Sequence, residues 1–146
     1  MSTVYDVPAW KLIVEVAEIL KKDHPEVTPP QYSQFWKTGI FKERAPERPD
    51  WWWIRCASIL RKVYLTGPVG ISRMRTVYGG RNRRDVKLAH FARGSGSIIR
   101  KAFQQLHKAG LLEITEGKGR RISGKGKSLL DRASHQVNLK LEKVAS

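Results

Sequence analysis

Cysteine is nearly missing from this chain. Cys56 is the single one in 146 residues, which excludes an internal disulfide and fits a reducing compartment. No apolar run approaches the length of a membrane-spanning helix. The start, Met1-Ser-Thr-Val-Tyr-Asp6, lacks a basic segment followed by an apolar one, so the expectation is a cytoplasmic protein without a signal peptide or membrane contact. The four histidines, His24, His90, His107 and His135, have no metal-ligand spacing with one another or with Cys56, so neither a metal nor a cofactor is expected. The most informative scarcity is of acid. Between residues 55 and 101, Asp85 stands alone against twelve Lys and Arg.

The charge is concentrated as well as large. Residues 1–50 carry a net −1, residues 51–112 a net +12 and residues 113–146 a net +4, within a formal +15. A solubility charge has no reason to avoid one third of the chain; a surface facing a polyanion does. The length fits one domain spanning residues 1–146, and the 40% apolar content with five Trp argues for a packed core rather than disorder.

Periodicity predicts a first helix over residues 7–22, with Asp6 as N-cap and Trp10, Ile13, Val14, Ala17 and Leu20 as its buried stripe. A short helix near residues 31–37 and a charged loop over 40–49 follow. Residues 51–66 form the predicted central helix, between Asp50 as cap and Gly67-Pro68 as stop. Its two apolar stripes, Trp52/Cys56/Ile59/Val63 and Trp53/Ala57/Leu60/Tyr64, require several packing neighbours. One narrow face is left open: Trp51, Arg55, Ser58 and Lys62. An aromatic beside cations there is suited to stacking on a base, or alternatively shields the helix end.

A short helix over residues 72–78 carries Arg73 and Arg75. Residues 79–96 read as a long basic loop holding Arg81, Arg83, Arg84, Lys87 and Arg93, ordered only against phosphates. An amphipathic helix over 97–109 follows, capped by Ser97 or Ser95. It buries Ile98, Ile99, Ala102, Phe103, Leu106 and Ala109, with Arg100 and Lys101 outside. Leu111–Thr115 and Arg121–Ser123 make a hairpin whose tip holds Lys118, Arg120 and Arg121. A last helix, 125–143, has the stripe Leu129, Leu130, Ala133, Val137, Leu141 and Val144. The fold class is therefore mainly α: a winged-helix-like domain with helices around a central buried helix, plus a small β-hairpin.

Catalytic signals are missing. Gly126-Lys127-Ser128 ends like a phosphate-binding loop, but that motif needs Gly five residues before Gly126, where Arg121 stands. Gly94-Ser-Gly-Ser-Ile lacks the third glycine and preceding strand of a dinucleotide loop. Cys56 falls on an apolar stripe, and the carboxylates are scattered. No enzyme is expected.

Trp51-Trp-Trp-Ile-Arg-Cys-Ala-Ser-Ile-Leu-Arg-Lys-Val-Tyr64 resembles the central helix of the small-subunit ribosomal protein family numbered nineteen-e, found in archaea and eukaryotes. Gly67-Pro-Val-Gly, Tyr78-Gly-Gly-Arg, Gly96-Ser-Ile-Ile-Arg-Lys-Ala-Phe-Gln-Gln-Leu, Gly119-Arg-Arg-Ile-Ser-Gly-Lys-Gly and Leu130-Asp-Arg-Ala extend the resemblance in order. It covers essentially the whole chain and looks archaeal. It implies a helical, winged-helix-like fold in the head of the small subunit, bound to the 3′ domain of its RNA, and in eukaryotes a role in subunit maturation. Its implied RNA-facing residues are Trp51, Arg55 and Arg61 on the central helix, Arg100 and Lys101 on the later one, and Arg81 in the Tyr-Gly-Gly-Arg loop. Cys56 departs from a usual Ala, Asp85 from a frequent Gly and Lys87 from a nearby Pro. If Gly there supplies a positive φ, Asp can adopt it at some cost.

The leading expectation is a structural RNA-binding protein of the small ribosomal subunit, monomeric when free, partnered by small-subunit ribosomal RNA and neighbouring ribosomal proteins. Cations neutralise phosphates, and Trp51 and Tyr78 offer stacking surfaces. The rival is a winged-helix DNA-binding regulator, which the helix–hairpin–helix order alone would support. A third class is a protein adaptor using the charge-balanced N-terminal helix.

Overall fold

The structure, a computed structural model, describes residues 2–146. A 3-10 turn, Val4–Asp6, leads to α1 (Ala9–Asp23). Asp6 does not cap α1. Its carboxylate accepts from the Thr3 N–H (2.6 Å) and hydroxyl (3.0 Å), and Pro8 occupies the cap position. The buried side of α1 is Leu12, Val16, Ala17 and Leu20, while Trp10 is 66% exposed. Of the expected stripe Ala17 and Leu20 are buried and Ile13 and Val14 half-buried, but Leu12 and Val16 take the place of Trp10 in the core; apolar residues surround most of this helix, so periodicity alone does not select the exact face. The segment after it contains only a 3-10 turn, Ser33–Phe35, where a short helix was expected.

α2 (Trp51–Thr66) is the centre of the molecule, packed by α1, by the later α4 (Gly96–Lys108) and α5 (Gly124–Ala145), and by a strand. Its polar tips are satisfied by neighbours. The Trp52 indole, fully buried, donates to Gln105 Oε1 (2.8 Å) on α4, whose amide donates to the Thr28 carbonyl (2.8 Å). The Trp53 indole donates to the Val27 carbonyl (2.9 Å), and the Tyr64 hydroxyl to Asp131 on α5 (3.0 Å). Asp50 sits at the cap position, but its carboxylate pairs with Arg48 instead of capping.

After Gly67, which leaves the helix at φ 79°, Val69 exchanges two backbone hydrogen bonds with Arg120 (2.9 Å each). α3 (Ile71–Val77) follows. The region expected as a long loop is instead a β-hairpin, β1 (Gly80–Arg84) with β2 (Lys87–Ala92), closed by Asp85 and Val86. Asp85 takes φ 46° in that turn, the left-handed geometry anticipated for a Gly-like position. Composition conceals the hairpin because only Ala92 of its residues is buried, so no alternating apolar face marks it. Its base is clamped: Gly39 bridges Gly94, Ser95 N–H donates to Thr38 O (2.9 Å), and Gly94 N–H donates to Arg75 O (2.9 Å).

α4 is capped by Ser95, whose hydroxyl accepts from the Ile98 N–H, and it buries the expected side. β3 (Leu112–Thr115) and β4 (Gly119–Ile122) form the antiparallel wing, and Val69 joins β4 through an isolated bridge to Arg120. α5 is capped by Ser123. Gly126 lies so close to the Leu111 carbonyl that a Cβ would collide with it; its role is packing. The α5 stripe is buried through Val137, but Val144 is 86% exposed because the helix end runs past its neighbours. α2, Val69, α3, α4 and β3–β4 thus make a winged helix, with β1–β2 inserted between the two helices of the helix-turn-helix.

Candidate nucleic-acid interface

Three ion pairs occur among the described residues: Arg48–Asp50, Arg121–Glu113 and Lys140–Glu15. All lie outside residues 55–101. The twelve cations there have no carboxylate partner, and folding places them on several adjoining surfaces.

The first surface combines α2 with the end of α3. The Arg55 guanidinium lies 4.1 Å from the Tyr78 ring centre, Lys62 Nζ lies 5.7 Å from it, and the Tyr78 hydroxyl shares a 2.6 Å hydrogen bond with Ser58. Burial holds the Arg55 pKa below its ordinary value and pushes the Tyr78 phenol up. A half-desolvated guanidinium without a carboxylate is poised for an anion. Arg55, Ser58 and Tyr78 line a groove of about 560 Å³ whose other wall includes Lys42, Arg44 and one acid, Glu47, which forms no ion pair with Arg55. The expected open face is corrected at Trp51. Only 8% exposed and edge-on to Trp52 (5.5 Å), its ring is not an open stacking surface. Tyr78 is also engaged, by Arg55 on its ring. Helical spacing placed Trp51 outside, and it does not register the tertiary packing that buries the ring.

The second surface is a cleft of about 810 Å³ beneath the hairpin. Arg75, Arg84 and Arg93 line it with Lys37, His90 and the first residues of α4, and no carboxylate does. The N-terminus of α4 adds the positive end of a 13-residue helix. Lys37 and His90 escaped the sequence reading. Lys37 sits in the charge-balanced third and joins the cleft only through the Gly39–Gly94 bridge.

Arg81, Arg83 and Lys87 are exposed on the hairpin, and Arg100 and Lys101 on α4, where Lys101 lies 5.5 Å from the Trp36 ring centre. At the wing, Lys118 is exposed and shares a groove with Arg73. Two wing cations differ from expectation. Arg120 is half-buried, its guanidinium 6.0 Å from the Phe103 ring centre, because it alternates inward along β4. Arg121 faces outward but pairs with Glu113 across the hairpin (3.0 Å). Arg61 is half-buried, and its Nε has no hydrogen-bond partner.

A family model described as ribosomal protein S19e matches residues 3–140. The chain belongs to the S19e family. The small ribosomal subunit protein eS19 of Aeropyrum pernix is 46% identical over 99% of this chain and 95% of its own length. That of Haloarcula marismortui is 42% identical over 98% and 95%. Small ribosomal subunit protein eS19A of Schizosaccharomyces pombe is 43% identical over 92% and 93%. An S19e protein is a structural component and not an enzyme, so the buried Cys56 needs no catalytic role; burial pushes its thiol pKa up, away from reactivity. Among the described residues no helix is long and apolar enough to cross a membrane, and no cluster of His, Cys, Asp or Glu could hold a metal.

Proposed function

We propose that this chain is a structural constituent of the small ribosomal subunit that binds small-subunit ribosomal RNA, in the 3′ domain that forms the head, and that it aids subunit assembly. One observation carries the reading: twelve cations between residues 55 and 101 lie on adjoining surfaces and form no ion pair among the described residues. Such a surface gains free energy by releasing counterions from a polyanion. Each relative is called a small ribosomal subunit protein, which supports ribosomal RNA as that polyanion. The cleft beneath the hairpin fits a sugar–phosphate backbone, and the Arg55–Tyr78 stack offers a guanidinium plane to a phosphate or base. Neighbouring ribosomal proteins would cover part of the charge-balanced surface of α1.

Sedimentation of a lysate at moderate salt tests this. The chain is expected to run with small subunits. Arg100→Glu, at an exposed position with no structural partner, is expected to reduce incorporation while circular dichroism is unchanged; Arg55→Glu is expected to reduce it further. Recovery only in free fractions, with tight binding to a specific duplex DNA, would instead make the chain a winged-helix regulator.

A further inference from the structure

A smaller cavity, of about 290 Å³, lies between the C-terminal half of α2 and α3. Leu65, Met74 and Val77 give it apolar walls, and Arg61, Lys62 and Arg73 also line it. No carboxylate does. The cations at its edge therefore have no internal counter-charge, while the apolar wall is open to a ligand. The volume is at the lower end of small-ligand cavities, which run from roughly 300 Å³ upward.

Beside it is a shallow groove made by the wing tip, Gly117, Lys118 and Gly119, facing Gly70 and Ser72. Pro68 and Arg73 line both cavities. The groove is glycine backbone with two cations, a surface suited to a phosphate. The two features together narrow the ligand. Duplex phosphates would fill the groove and leave the apolar slot empty; a lone apolar side chain would fill the slot and leave the cations unused. A nucleotide in a single-stranded RNA segment satisfies both, since its base can leave the stack while its phosphate stays on the backbone path.

We propose that these adjoining cavities hold one unstacked nucleotide of an RNA strand. Its base lies in the slot against Leu65 and Val77, and its phosphate sits between Arg73 and Lys118. The assignment rests on the RNA-binding reading above and adds a specific subsite to it.

Met74 is the only methionine besides Met1; it is buried directly behind the slot wall, where the ring current of a bound base would shift its methyl resonance. The experiment titrates the full chain, carrying ¹³C-methyl methionine, with adenosine 5′-monophosphate, uridine 5′-monophosphate, ribose 5-phosphate and the peptide N-acetyl-Asp-Phe. Either nucleotide is expected to shift the Met74 resonance saturably. Ribose 5-phosphate is expected to move the Gly117 and Gly119 amides and leave Met74 in place. Val77→Glu, which puts a carboxylate at a half-exposed wall position, is expected to abolish the methyl shift. Arg73→Glu, on the exposed surface, is expected to weaken nucleotide binding about tenfold and cannot be mistaken for core disruption. The proposal is overturned if Met74 is unmoved by nucleotides, moves equally with ribose 5-phosphate, or responds more to the peptide. If wild-type chain runs with small subunits and Met74 does not respond, the subsite falls and the RNA reading stands. Loss of that co-sedimentation removes the reading itself.

Discussion

Tyr64 shows how single polar tips hold this core together. Its ring packs beside Tyr5 (6.2 Å between centres), and its hydroxyl crosses to Asp131 on α5. Burial, and then the hydrogen bond to that carboxylate, push its phenol up to about 12. The folded protein therefore holds this proton more tightly than the unfolded chain, whose phenols titrate near ~10. The contribution is fully present below that value and is lost as pH rises through about 12. An ultraviolet-monitored alkaline titration is expected to show a phenolic transition near 12, and Tyr64→Phe to remove it. At neutral pH the same variant is expected to lower stability in urea unfolding by about 0.5–1 kcal/mol, the net value of a partly exposed hydrogen bond. Trp52 and Gln105 make the same kind of link between α2 and α4, with the buried indole as donor.

The two hairpins are opposites in what they need. In the wing, Gly119 has φ 95°, and a Cβ there would collide with the Val69 carbonyl, which bridges the neighbouring Arg120. Gly119→Ala combines left-handed strain with a backbone clash and is expected to cost about 2–4 kcal/mol. Gly117, with φ 68° and open space around it, carries the strain alone, so Gly117→Ala is expected to cost about 1–2 kcal/mol. Paired urea denaturation curves check the order. β1–β2 contributes almost nothing to the core. Replacing residues 81–91 by a short Gly-Ser turn is expected to leave the thermal midpoint nearly unchanged. The same excision removes Arg81, Arg83, Arg84 and Lys87, and is expected to flatten the salt dependence of RNA binding by about 3 in log–log slope. An excision that unfolds the chain would show that the hairpin is structural after all.

At the scale of the whole molecule the charge imposes an opposition between stability and binding. Twelve cations without carboxylate partners repel one another in the free protein. Added salt screens that repulsion over a Debye length of about 8–10 Å at physiological strength. The melting temperature of the free chain is therefore expected to rise from low salt to about 0.15 M, more with sulfate than with chloride. Over the same range RNA affinity is expected to fall steeply, because the counterions released on binding become less dilute. Differential scanning fluorimetry and filter binding in matched buffers measure both. Parallel slopes would mean that the cations are internally compensated.

Much of the fold was legible because local rules agree with one another. The central helix runs from Trp51 to Thr66 as its apolar spacing and Gly67 stop require, and Ser95 and Gly110 frame α4 around the buried side that periodicity selects. The wing follows from two short strands around turn glycines, and family membership from ordered motif blocks. Three things depended on contacts distant in sequence. The face of α1 was settled by what packs on it, since its apolar residues surround the helix. The β1–β2 hairpin forms through its ladder and the Gly39–Gly94 clamp, which leave no hydrophobic alternation to read. The open or closed state of the α2 face was settled by tertiary packing, which buries Trp51 edge-on to Trp52 and lays Arg55 on Tyr78. Sequence by itself determined that a dense cation surface exists, because charge is carried residue by residue. Tertiary structure alone decided which cations stand free to meet phosphate, since burial and pairing, as at Arg120 and Arg121, are properties of neighbours brought together by folding.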